Sequence, residues 1–153
     1  MKPTKVLMVC LGNICRSPLA EGILKSKVDS NTIIVDSAGT GAYHVGNLPD
    51  LRSIQVAEKH GLDITDQRAR KIQTSDLDTF DYIYAMDASN YRNILSLAKI
   101  EAQKAKVFMI MNELQPGEDI SVPDPYYGGG DGFENVYQML DKACDVVVKK
   151  ISE

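Results

Sequence analysis

A chain of 153 residues, 44% hydrophobic and 25% charged, reads as one globular domain spanning 1–153, not a disordered or fibrous chain. Its net charge of −4 argues against nucleic acid as a partner, and no apolar run approaches the ~18 residues of a membrane span. Three cysteines with neither a disulfide framework nor a metal-ligand spacing, after a start that enters a strand without a signal peptide, predict reduced thiols and a cytoplasmic location.

The first element is the unbroken apolar run Val6-Leu7-Met8-Val9, which predicts a strand buried on both faces, as in a parallel sheet covered by helices. A small loop from Cys10 to Arg16 follows. Ser17 then suits an N-cap and Pro18 a first helical position, with Leu19, Ala20, Ile23, Leu24 and Val28 recurring at helical spacing. Thr32–Asp36 reads as a second strand and Ser37–Ala42 as the loop at its carboxyl end. Asn47–His60 reads as a helix with Pro49 near its start, Leu51, Ile54 and Ala57 on one face, and Gly61 as its stop. Tyr82–Met86 is a third strand. Asp87 then caps a helix carrying Tyr91, Ile94, Leu95 and Ala98, and Lys106–Met111 is a fourth strand. Phe133, Val136, Tyr137, Leu140, Ala143, Cys144, Val147 and Ile151 mark a long closing helix. Strand and helix alternate throughout. The predicted fold is α/β, a doubly wound four-stranded parallel sheet with helices on both faces and a phosphate-binding loop after the first strand.

That loop carries the chemistry. Between the carboxyl end of a strand and the amino end of a helix, unpaired N–H groups converge and the helix dipole adds positive potential, so an oxyanion is held there. Gly12 allows the backbone to approach the anion, and Asn13 tolerates left-handed geometry. Arg16 brings a planar fork of donors that matches two phosphate oxygens and keeps its charge. The field that holds a phosphate also stabilises a thiolate, which makes Cys10 a nucleophile ready at neutral pH. The Ser17 hydroxyl is positioned to donate to that sulfur and ease its departure. No metal or other cofactor is expected, because Arg16 and the backbone supply the positive potential.

A long loop separates the fourth strand from the last helix, and loops of this length in compact domains are usually functional or disordered. Within it, Pro123 and Pro125 stiffen the backbone on either side of Asp124. A carboxylic acid held in this way suits protonation of a phenolate leaving group, a form of catalysis that contributes ~10²–10⁴-fold.

The run Val-Cys-Leu-Gly-Asn-Ile-Cys-Arg-Ser-Pro at 9–18 resembles the signature of the low-molecular-weight protein tyrosine phosphatases. Asp124-Pro125-Tyr126 matches the Asp-Pro-Tyr motif of that family, and Asp36-Ser37 and Ala85-Met86-Asp87 fall in the expected order between them. The resemblance implies a phosphotyrosine phosphatase acting on phosphotyrosine-containing proteins, with a cognate tyrosine kinase as a further expected partner. Cys10 is then the nucleophile and Asp124 the general acid and base. Arg16 and the N–H groups of Leu11, Gly12, Asn13, Ile14, Cys15 and Arg16 hold the phosphoryl oxygens, and Ser17 assists release of sulfur. Tyr126 and Tyr127, with Tyr43 where some relatives carry tryptophan, become walls for the phenyl ring, while Ile14 accompanies tyrosine rather than arginine phosphatases. Family members form a bridge between the cysteines equivalent to Cys10 and Cys15 under oxidant. Asp87 has a family counterpart that braces the loop, so it is an N-cap, a brace, or both.

Plainer readings stand beside these. Tyr126, Tyr127 and Tyr43 also suit loop packing, His44 a surface position, and His60 a helix carboxyl end. Arg68, Arg70 and Lys71 read most simply as a solvated charge cluster. Three rival functions use a similar loop. An arsenate reductase needs a further cysteine pair near residues 75–90, where this chain has none. A phosphocarrier would preserve its phosphocysteine, against which Arg16 and Asp124 argue. A non-catalytic phosphate-binding module would be expected to have lost the nucleophile or the acid, and both are here.

Overall fold

The apolar run at the start of the chain forms the second of four parallel strands. The computed structural model describes residues 2–125 and 131–152. Strands β1 (Thr4–Cys10), β2 (Ile33–Gly39), β3 (Tyr82–Ala85) and β4 (Val107–Met109) lie in the order β2-β1-β3-β4. Every pairing is parallel, with Cys10 opposite Gly39 and Val9 opposite Ala85. Around the sheet lie α1 (Arg16–Lys27), α2 (Leu51–Lys59), α3 (Asp76–Thr79), α4 (Ala88–Leu97), α5 (Glu101–Lys104), α6 (Met111–Leu114) and α7 (Gly132–Ile151).

Strand pleating divides the core in two. Val6, Met8 and Cys10 point into one layer, packed by Leu19, Ile23 and Leu24 of α1, Val56 of α2 and the apolar stripe of α7. Leu7 and Val9 point the other way, against Leu77 of α3 and Ile94 of α4. Residues 6–9 are completely buried, which accounts for their lack of alternation. All eight apolar positions read for the closing helix face the core. Because β1 leads on to β2 at one side and its neighbour β3 leads on to β4 at the other, the connections after these adjacent strands diverge, which opens a crevice at the carboxyl end of β1. Cys10 stands at that point.

Local structure departs from the sequence expectations at several places. Helix α1 begins at Arg16 rather than Pro18, and Ser17 is not its cap; the cap position falls on Cys15, without a side-chain cap bond. Strand β2 runs three residues beyond Asp36, to Gly39, and β4 ends at Met109, where the chain turns into α6. Asp50 caps α2 by accepting from the Arg52 amide, so that helix starts after Pro49, and Gly61 ends it at φ +81°. Leu51 does not share the buried face of α2, being 65% exposed; Ser53, Val56 and Ala57 do. Asp87 caps α4 by accepting from the Asn90 amide, as expected.

These burial differences set a direct contrast. Leu140→Ala removes a fully buried side chain between α7 and the sheet and is expected to lower unfolding free energy by ~2–5 kcal/mol. Leu51→Ala is expected to stay within ~0.5 kcal/mol. Urea denaturation at one pH measures both, and equal losses would contradict the placement of α2.

Candidate active site

The loop between β1 and α1 is shaped by Asn13, which adopts the left-handed conformation at φ 58°. Its side-chain amide is fully engaged. The Arg70 amide donates to Oδ1 at 3.0 Å, which fixes the orientation of the group, and Nδ2 donates to Ser17 Oγ at 2.8 Å and Ser37 Oγ at 2.9 Å. The backbone N–H of Asn13 donates to Cys10 Sγ at 3.2 Å. Since Ser17 Oγ accepts from Asn13, its own proton is free to point at the sulfur 3.0 Å away. Cys10 is thus 3% exposed at the floor of the loop with two donors on its sulfur.

The amide network continues inward. Ser37 Oγ donates to Glu21 Oε1 at 2.6 Å, and Lys25 Nζ reaches Glu21 Oε2. Burial pushes the Glu21 carboxyl above the usual carboxylate range, opposed by its bonds to Lys25 and Ser37. From outside, Gly39 closes the loop. A β-carbon there would lie 2.6 Å from the Leu11 carbonyl oxygen and 3.2 Å from the Asn13 nitrogen, so β2 approaches as closely as it does only with glycine at its end. The carbonyls of Cys10 and Leu11 accept from the Thr40 and Gly41 amides, each at 2.9 Å.

Arg16 is 5% exposed and held from two sides. Its Nη1 donates to Asp87 Oδ2 at 2.7 Å and to the Val122 carbonyl at 2.9 Å. The other oxygen of Asp87 caps α4, so one carboxylate fulfils both roles expected of it. Val122 also donates its own amide to the Met86 carbonyl at 2.8 Å, which ties the segment leading to Asp124 to the end of β3. Cys10, Leu11, Gly12, Ile14, Cys15, Arg16, Tyr43, His44 and Asp124 line one cavity of about 220 Å³. Residues far apart in sequence thus meet at one strand end.

The predicted site is brought together in nearly all its parts. Tyr43 stands at the rim, 76% exposed, with half-buried His44 beside it. Tyr126 and Tyr127 lie outside the described residues. Cys15 is buried, and burial with the nearby Asp50 carboxylate pushes its thiol up to about 12, so it stays protonated at neutral pH. His60 occupies the carboxyl end of α2, as read, and stacks on Tyr137 at 3.9 Å. Arg70 is not part of a solvated cluster. Its guanidinium pairs with Asp76 at 3.0 Å and Asp36 at 3.1 Å while its amide anchors Asn13. Sequence reasoning also missed Glu21 and the part played by Ser37. Their contact with each other joins α1 to β2 and has no local signal.

A parallel α/β sheet whose first strand ends in a Cys-x5-Arg loop, with an aspartate from a distant segment over it, defines a phosphomonoester hydrolase of the cysteine-dependent class. Residues 5–153 match the family model for low molecular weight phosphotyrosine protein phosphatase. A phosphatase of that description from Schizosaccharomyces pombe is 48% identical over 146 residues, covering 92% of each chain. Among solved structures, a protein tyrosine phosphatase from Entamoeba histolytica superposes with a TM-score of 0.91 at 38% identity, covering 97% of each chain. A drosophila arginine phosphatase superposes with a TM-score of 0.88 at 35% identity, covering 98% of this chain and 99% of its own. The chain belongs to the low molecular weight phosphotyrosine protein phosphatase family.

The buried carboxyl under the loop makes stability depend on pH. A group that binds its proton more tightly folded than unfolded contributes stability that is complete below the ordinary glutamate value of ~4.3 and is lost as pH rises through the raised folded value. Glu21→Gln retains an acceptor for Ser37 and removes the titration. Its unfolding free energy is therefore expected to gain on that of the wild type as pH rises from about 4 to 8, measured by urea denaturation. A difference that stays constant across that range would contradict the assignment.

Proposed function

We propose that this protein hydrolyses phosphotyrosine in proteins through a phosphocysteine intermediate on Cys10. The observation that carries the reading is a sulfur with two donors, from Asn13 at 3.2 Å and Ser17 at 3.0 Å, opening on the cavity that Arg16 and Asp124 also line.

In the first step the Cys10 thiolate attacks phosphorus opposite the ester oxygen. The S–P bond forms as the P–O bond to the phenolate breaks, and Asp124 gives its proton to the departing oxygen. Arg16 and the loop N–H groups stabilise the equatorial oxygens, where charge accumulates. Anchorage of Arg16 through Nη1 limits its motion, so little reorganisation is required at the moment of transfer. In the second step Asp124, now a carboxylate, takes a proton from water as the water oxygen attacks phosphorus. Sulfur leaves as a thiolate that the Ser17 hydroxyl and Asn13 amide receive.

Depth supports the substrate class. Cys10 lies at the floor of a walled cavity, and an aryl phosphate spans from rim to sulfur where the shorter phosphoserine falls short. Tyr43 serves as one wall, Ile14 lines the cavity beside it, and Tyr126 and Tyr127 are proposed to complete the ring site. The reading extends to a single cytoplasmic domain over 1–153 and to a cognate tyrosine kinase that supplies the substrates. Among the described residues no helix is long and apolar enough to cross a membrane.

Hydrolysis of para-nitrophenyl phosphate without added metal tests the assignments. Cys10→Ser is expected to abolish it, and Asp124→Ala to reduce kcat by ~10²–10⁴-fold. Phosphotyrosine peptides are expected to be cleaved in preference to phosphoserine and phosphoarginine peptides. Retained activity in Cys10→Ser, or a preference for phosphoarginine, would overturn the reading. Cys10 and Cys15 are both free thiols, and hydrogen peroxide is expected to join them in a disulfide, itself being reduced to water. Peptide mapping of peroxide-inactivated protein checks this, and two free thiols in inactive protein would refute it.

A further inference from the structure

Much of the exposed apolar surface gathers at one rim. Among the described residues, Leu11, Tyr43, Val45, Leu48 and Leu51 are five of the seven large exposed hydrophobic residues, and all lie in or beside the cradle and the β2–α2 loop. Behind this rim is a second cavity of about 400 Å³, lined by Leu11, Tyr43, Lys71, Thr74, Asn93 and Ser96 among others. Leu11 and Tyr43 border both cavities, so the two adjoin across these side chains. A polypeptide whose phosphotyrosine enters the first passes neighbouring residues over the Leu11–Tyr43 rim into the second.

Lys71 gives this cavity its charge. Its backbone is clamped beside Gly39: the Gly39 amide donates to the Arg70 carbonyl and the Ile72 amide to the Gly39 carbonyl, each at 2.8 Å. Gly39 in turn packs against Leu11 and Asn13, so the position of Lys71 is fixed relative to the phosphate cradle. The flanking side chains are committed elsewhere, Arg70 to Asp36 and Asp76 and Ile72 to the core. Lys71 itself is exposed and makes no ion pair among the described residues. The walls add hydrogen-bonding capacity from the side chains of Thr74 and Asn93. An ammonium group rooted beside a polar cavity suits a carboxylate, and its low burial keeps the desolvation cost small.

We infer that this cavity is a subsite for an acidic residue close to phosphotyrosine in the substrate chain, with Lys71 as the specificity-determining cation. The inference rests on the phosphatase reading above and narrows its substrate class. Lys71 acts on neighbouring residues of the substrate, not on the phosphoryl group.

The test compares kcat/KM for two phosphotyrosine peptides that differ only in glutamate or glutamine at the positions flanking the phosphotyrosine. Wild-type protein is expected to favour the glutamate peptide by ~2–5-fold, the range of one exposed ion pair, with the preference shrinking as salt is raised. Lys71→Ala is expected to abolish the preference and Lys71→Glu to reverse it. The ratio of the two peptides within each variant is independent of any general loss of activity, so a merely structural effect of the substitution leaves it unmoved. Hydrolysis of both peptides with no preference, or a ratio unchanged in Lys71→Glu, overturns the subsite and leaves the phosphatase reading intact. Failure to hydrolyse either peptide overturns both.

Discussion

The active-site loop depends on the conformation of Asn13. Asparagine tolerates φ 58° better than other non-glycine residues, and such a conformation is held firmly where its surroundings over-determine it. Here they do, through bonds from its side chain to Ser17, Ser37 and the Arg70 amide and from its backbone to the Cys10 sulfur. Releasing Asn13 would let the loop open, turn its amide away from sulfur and deprive Ser17 of the partner that orients its hydroxyl. The loop is therefore held in shape before any phosphate arrives. That is the preorganisation on which electrostatic catalysis relies.

Topology brings the remaining parts to this loop. Parallel strands end at one edge, and the connections after the neighbours β1 and β3 lead to opposite sides, so loops after β1, β2 and β3 converge on Cys10. Arg16 links two of them. It bonds to Asp87 at the head of α4 and to Val122 just before Asp124, which places a cation and an acid in register across more than a hundred residues of chain. The Arg16–Asp87 pair is nearly buried, and a bond to the neutral carbonyl of Val122 shares the guanidinium without cancelling its charge. On the proposed reading, the phosphoryl group meets a positive centre whose direction is already set.

Much of this was legible in the sequence, for identifiable reasons. The unalternating run at 6–9 and the period of the closing helix report burial directly, and the structure buries the residues they select. Cys10, Arg16 and Asp124 stand out in the sequence because their residue types and spacing have little other use, and the structure brings them to one cavity; Asp87 was legible as a cap because helix caps are local. The amino end of α1 was misread for a physical reason. Ser17 has the chemistry of an N-cap, but its hydroxyl serves the Cys10 sulfur and Asn13, and the helix starts before it. Leu51 was misplaced because a periodicity read over Asn47–His60 assigns a face that the shorter helix, starting after Asp50, does not present to the core. The contacts of Arg70 with Asn13 and of Ser37 with Glu21 were illegible, since they join separate elements. Contacts of that kind exist only after folding.

The central claim is that the phosphoryl group passes through the Cys10 sulfur. Its most direct test is mass spectrometry of protein quenched in acid during steady turnover of an aryl phosphate, with peptides mapped under conditions that preserve phosphocysteine. One phosphoryl group on the peptide carrying Cys10 and Cys15, localised to Cys10 by fragmentation, is the predicted result. Phosphate localised to Cys15 or to any other residue, or an enzyme that turns over with Cys10 never modified, would contradict the account.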